Sequence, residues 1–175
     1  SPDDILNRLN KVVRRVDTGR LRMSLSVCIF KNDKLYISAA AMPPAYLYSA
    51  ETQSADEIEI RNLPLGGLEN EQFELVEKSF NKGDVLVLLS DGLPEAPDLE
   101  GNLLDYQPVM DCIEKTAHLG AAQVKQALID LADDWLGGSK NPDDITFIVF
   151  EKQPDEDKKA QKEIEEKDYK KVAQA

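Results

Sequence analysis

The residues of this 175-residue chain whose types and spacing could do chemistry are three aspartates. Asp91 follows the apolar run in "GDVLVLLSDGLPEA" (83–96), and Asp143-Asp144 opens "NPDDITFIVF" some fifty residues later. Carboxylates crowded at one place repel, and either a shared proton or a hard divalent cation relieves the repulsion. Magnesium and manganese prefer near-octahedral oxygen sites built from a few carboxylates and several retained waters. A water bound to such a cation has a lowered pKa and can attack phosphorus while the cation neutralises phosphate oxygens. Turn chemistry offers a plainer explanation, because Asp91-Gly92 and Pro142-Asp143-Asp144 are both good turn sequences. On the same grounds Glu95 and Asp98 read as solvated loop acids.

Whether the acids meet depends on the strands that carry them. Val85 to Leu89 is continuously apolar rather than alternating, which predicts a strand buried on both faces, and "ITFIVF" (145–150) reads the same way. If the two are antiparallel neighbours, the end of the first lies beside the start of the second. Asp91 then converges with Asp143 and Asp144. Parallel strands would put the acids at opposite ends, so the metal reading stands or falls with that pairing.

The remaining elements follow from periodicity. Ser1-Pro2-Asp3-Asp4 has a capping residue and acids for a first helical turn, and Ile5, Leu6, Leu9, Val12 and Val13 recur at helical spacing to about Arg15. "DTGR" (17–20) breaks the helix, "MSLSVCIF" (23–30) reads as a strand, and Asn32-Asp33 turns it into "KLYISAAA" (34–41). Pro43 and Pro44 cannot sit in a central ladder, so they form a loop before the strand "AYLYSA" (45–50). "EIEIR" (57–61) and "FELVEKSF" (73–80) alternate as strands on either side of the turn-rich "LPLGGLENE" (63–71). A helical period returns near 107–118 and again at 121–137, where Val124, Leu128, Leu131 and Trp135 share a stripe that Gly137-Gly138 ends. Strands close in sequence followed by two helices predict antiparallel sheets with helices packed on a face. A charged tail over 153–175, helical or disordered, alternates Lys with Glu.

Composition excludes several classes. The net charge is −12; residues 153–175 hold six Lys against seven Asp or Glu, leaving −11 on residues 1–152. An acidic body argues against nucleic acid, which is bound through Lys and Arg. It also requires something to reverse the local sign before an anionic substrate can approach, and a bound cation does this. No apolar run reaches the roughly 20 residues of a membrane span, and no signal-peptide pattern opens the chain. Cys28 and Cys112 lie in apolar patterns and read as reduced core thiols of a cytoplasmic protein. His118, the sole histidine, falls at a helix end far from the acids, and Trp135 reads as core.

The ordered set of these segments resembles the SpoIIE-type branch of the metal-dependent, protein phosphatase 2C-like serine/threonine phosphatases. The resemblance runs through "DDILNRLNKVVRRVDTGRLRMSLSV", "KLYISAAAMPPAYLYSA", "LPLGGLENEQFE", "GDVLVLLSDGLPEA" and "NPDDITFIVF" and assigns residues 1–152 to one phosphatase-type domain. It implies an α+β fold, an antiparallel β-sandwich flanked by helices. It implies a binuclear Mn2+ or Mg2+ centre that hydrolyses phosphoserine or phosphothreonine, with Asp91 and Asp143 as ligands and catalytic residues. Gly92 and Asp144 take supporting positions, and no substrate-binding residue is assigned. Members of the family act on anti-sigma-factor antagonists or similar regulators and often follow a sensory or receiver domain.

Two departures stand out. The family loop reads Asn-Ala-Gly, then His or Met, then two prolines, whereas here Ala39-Ala40-Ala41 precede Met42-Pro43-Pro44. The family's earlier acidic motifs, a Gly-Asp and an Asp-Gly-x-Gly-His-Gly turn whose Asp bridges the metals, have no counterpart before Pro2. The chain is therefore expected to be the C-terminal portion of a longer phosphatase, lacking the N-terminal part of the fold and holding an incomplete metal site. The alternative is a non-catalytic pseudophosphatase module that binds a signalling partner. A calcium loop ranks last, because no segment has the spaced Asp/Asn pattern.

Overall fold

A computed structural model describes residues 1–16 and 22–153. Helix α1 (Pro2–Arg15) begins with proline at its first position and Asp3 and Asp4 in its first turn. Ser1 stands at the cap without capping: its hydroxyl donates to the Asp4 carboxylate at 2.9 Å instead of bonding a free helix N–H. The apolar face of α1 buries Leu6 and packs Leu9 and Val13 against Leu25, Val27, Ala40, Leu65 and Phe73.

Strands β1 (Leu25–Lys31) and β2 (Lys34–Ala40) form a hairpin in register Lys31↔Lys34. Its two turn residues, Asn32 and Asp33, have φ of 50° and 58°, the left-handed pair that a two-residue hairpin turn demands. With β5 (Val76–Ser79) they make a three-stranded sheet of order β1-β2-β5. Strands β3 (Ala45–Ser49), β4 (Ser54–Ile58), β6 (Val85–Leu89) and β7 (Phe147–Glu151) make a second sheet of order β4-β3-β6-β7. All pairings are antiparallel.

The sheets stack through Leu35, Ile37, Ala39, Ala45, Ile58, Phe80 and Leu86. Helices α2 (Tyr106–Thr116) and α3 (Ala121–Leu136) cover the far side of the second sheet. There Val109, Ile113, Val124 and Leu128 meet Tyr46, Tyr48, Val85, Val87 and Leu89. Four layers result, helix–sheet–sheet–helices, and they explain the unbroken apolar run of β6: alternate residues feed different cores, so neither face is polar. Trp135 packs against the helix-side core and Gly137 ends α3 in the left-handed conformation, both as expected. No helix among the described residues is long and apolar enough to cross a membrane.

Three strands differ from expectation, the first being β7, expected to be buried on both faces but lying at the edge of its sheet with Ile148 53% exposed. The alternation at 57–61 predicts a strand there, yet β4 covers Ser54–Ile58. Its last pair is Ala45↔Ile58; the next position on the partner is Pro44, which has no N–H to extend the ladder. Of residues 73–80 only Val76–Ser79 pair, along the first half of β2. The charged tail from residue 154 and the "DTGR" break lie outside the described residues.

Candidate metal-binding site

The pairing on which the acidic cluster depends is present. Strands β6 and β7 are antiparallel neighbours in register Val85↔Glu151 through Leu89↔Phe147. The ladder continues one step, with the Ser90 N–H donating to the Thr146 carbonyl at 2.8 Å. Beyond it the chains splay into two turns that bear the aspartates. Asp91 opens the first, its carbonyl accepting the Glu95 N–H at 2.9 Å, while Leu93, Pro94 and Ala96 anchor the turn in the protein. Trp135 fixes its base, with Nε1 donating to the Ala96 carbonyl at 2.9 Å. In the second turn, Asp143 Oδ1 accepts the Asp144 N–H at 2.8 Å.

The two turns touch directly. A Cβ on Gly92 would lie 2.3 Å from the Asp144 carbonyl oxygen, so glycine is needed here for close approach. The Ser90 hydroxyl donates to that same carbonyl at 3.3 Å and accepts the Thr146 N–H at 3.1 Å. Asn141 Nδ2 donates to the Gly92 carbonyl at 2.9 Å. Asp91, Asp143 and Asp144 are all exposed, and none is joined to a cation among the described residues.

The field of these acids reaches the start of α2. Burial raises the pKa of the Tyr106 phenol, and the negative charges of Glu95, Asp91, Asp105 and Glu57 raise it further. Tyr106 and Asp105 thus border the site although nothing in their sequence context links them to Asp91. Glu95, expected to be a plain loop acid, contributes to the same field. Two other acids escaped notice because their work is structural. Asp84, 3% exposed, accepts the Ala50 N–H at 2.9 Å and the Asn81 N–H at 2.6 Å. Glu151 accepts the Ala121 N–H at 2.9 Å and so occupies the α3 N-terminus. His118 is exposed in a short 3-10 turn (Ala117–Leu119). Cys28 and Cys112 are free and half-buried, and burial pushes both thiols up, Cys28 to about 11.

Exposed, unpaired oxygen donors at a rigid strand end suit a hard divalent cation in kind. In number they fall short: among the described residues no three His, Cys, Asp or Glu side chains come together around a possible metal position. Among the described residues the two turns therefore present only part of an enclosing ligand set.

Comparison with known proteins bears on the family and the fold. The family model described as Stage II sporulation protein E (SpoIIE) matches residues 1–153. The chain is 25% identical over 158 residues to the phosphoserine phosphatase RsbU of Bacillus subtilis (strain 168), covering 87% of this chain and 45% of the relative. It thus spans somewhat under half the length of that protein. Among solved structures it resembles the SiaA-PP2C domain of Pseudomonas aeruginosa, with a TM-score of 0.74 at 18% identity, covering 86% of this chain and 60% of that one. It also resembles the phosphatase domain of SpoIIE from Bacillus subtilis in a manganese-presoaked form, with a TM-score of 0.64 at 17% identity and coverages of 88% and 66%.

Proposed function

The chain belongs to the SpoIIE family, and from that premise we propose that it carries part of the catalytic site of a metal-dependent protein serine/threonine phosphatase. Its substrate is a phosphoserine or phosphothreonine on a bacterial regulatory protein of the anti-sigma-factor-antagonist kind, met in the cytoplasm. A sensory or receiver domain supplies the input in the parent protein. The observation that carries this reading is the antiparallel β6–β7 pairing, which sets Asp91 against the Asp143-Asp144 turn with no cation paired to either.

Asp91 and Asp143 are the ligands for Mn2+ or Mg2+. When bound, the cation supplies positive charge for the phosphate oxygens and lowers the pKa of a coordinated water. Asp91 opens the turn that follows β6, a strand buried on both faces that brings the turn to the sheet end. Asp143 keeps one oxygen on the Asp144 N–H and has the other free to ligate. Gly92 and Asp144 act through their backbones, holding the two turns in contact. Without a cation this end of the molecule repels a phosphate; with one, it admits it.

The test is manganese-dependent release of phosphate from a phosphoserine protein by the full-length parent protein. Turnover is expected to stop in EDTA and in Asp91→Asn and Asp143→Asn, with the fold retained by circular dichroism. Turnover that persists in EDTA or in Asp91→Asn would overturn the mechanism. The shortage of ligands among the described residues favours a second reading, a non-catalytic module that binds a signalling partner. Binding of Mn2+ without turnover under any metal supports that second reading.

A further inference from the structure

Four strand ends could carry two exposed acids, but here the acids sit on turns that lie beyond the last β6–β7 ladder bond. Backbone pairing ends at Ser90 and Thr146, so it does not by itself set the distance between Asp91 and Asp143. Two side chains continue the contact where the ladder stops. Ser90 Oγ uses both its roles, accepting the Thr146 N–H at 3.1 Å and donating to the Asp144 carbonyl at 3.3 Å. Asn141 closes the other side, with Nδ2 on the Gly92 carbonyl at 2.9 Å. Ser90 precedes Asp91 and grips the residue after Asp143. Asn141 lies two before Asp143 and grips the residue after Asp91. The two bonds thus cross, each tying one aspartate's turn to the other's.

The Asn141 amide carries a further sign of its task. A carbonyl can only accept, so Nδ2 must face Gly92 and Oδ1 must point the other way. Oδ1 is buried and finds no partner among the described residues. An orphaned buried acceptor destabilises a fold, and such departures persist where a site's geometry requires them. Gly92 completes the arrangement by admitting the Asp144 carbonyl where any Cβ would push it away.

We propose that Ser90 and Asn141 are positioning residues that cross-link the Asp91 and Asp143 turns and so set the spacing of the two carboxylates toward a divalent cation. This rests on the metal reading above. The experiment titrates Mn2+ alone, by calorimetry, into the full chain as wild type, Asp91→Asn, Ser90→Ala, Ser90→Thr and Asn141→Ala. Amide hydrogen exchange without metal is measured on the same proteins. Residues that orient metal ligands typically change affinity by about 10–100-fold, and that loss is expected for Ser90→Ala and Asn141→Ala. Ser90→Thr keeps the hydroxyl and is expected to bind as wild type does. Exchange is expected to rise at 91–93 and 144–146 together in both alanine variants, while α1 stays protected. If wild type binds Mn2+ and the alanine variants bind it equally well, the cross-link is overturned and the metal reading stands. If wild type and Asp91→Asn both fail to bind, exchange alone decides the cross-link, which unchanged protection at both turns overturns. Should Asn141→Ala unfold, Asn141→Leu keeps bulk, cannot donate to Gly92, and is read in the same two assays.

Discussion

Gly92→Ala puts the close approach of the two turns to a direct test. The added methyl would sit 2.3 Å from the Asp144 carbonyl oxygen, 2.9 Å from its carbon and 3.3 Å from the Ile145 nitrogen. Carbon–oxygen contacts of this kind settle at about 3.3–3.6 Å, so the shortfall is about 1 Å. All three obstacles are backbone atoms, and the Ser90 bonds to Asp144 and Thr146 hold them in place. Alanine has no rotamer to change, so one turn must move. Overpacking of this kind costs about 1–3 kcal/mol, and a backbone obstacle places it near the upper end. At about 2–4 °C per kcal/mol for a chain of this size, the melting temperature falls by about 6–12 °C. Thermal denaturation followed by circular dichroism reads this directly. A melting temperature within about 2 °C of wild type would refute the reasoning, since it would mean that Gly92 serves an ordinary Asp-Gly turn with room for a side chain.

Ala41 should show the opposite response. It lies at φ 48°, exposed, in the loop that leads into Met42-Pro43-Pro44. Relief of about 1–2 kcal/mol of left-handed strain outweighs glycine's extra chain entropy of about 0.5–1 kcal/mol, so Ala41→Gly should raise the urea midpoint. Asp84→Ala leaves the Ala50 and Asn81 N–H groups without their acceptor and should cost about 2–4 kcal/mol in urea unfolding. Burial raises the Cys28 pKa from 9.0 to about 11. The folded thiol therefore keeps its proton where the unfolded one has lost it. Its contribution to stability is intact below pH 9 and declines as pH rises through about 11. Alkylation of Cys28 in the folded protein should accelerate only toward that upper value, and rapid labelling near neutrality would contradict the burial.

Much of the architecture is legible in the residues because hydrophobic period reports burial directly. The continuous apolar stretch Val85–Leu89 announces a strand covered on both faces, and β6 lies inside the four-layer stack, whereas 145–150 read the same way and yet β7 is a sheet edge with Ile148 53% exposed. Asn32-Asp33 and Gly137 mark their turns through local chemistry alone. Where strands end is less legible, because a ladder needs two partners: β4 stops at Ile58 for want of a donor on Pro44, not through anything at Glu59.

The same division applies to the site. Residue pattern identified Asp91 and Asp143 as candidates and stated the condition, antiparallel pairing, under which they meet. It could not reveal that pairing, since strand order is decided by which apolar faces bury against each other. Tertiary contact alone explains Gly92, whose need for a bare Cα comes from a carbonyl at Asp144. It alone brings Ser90 and Asn141 into the site, for their partners lie 54 and 49 residues away. Composition and period act along the chain and can be read there. Hydrogen bonds between distant turns exist only once the sheets have closed, because folding alone sets those distances.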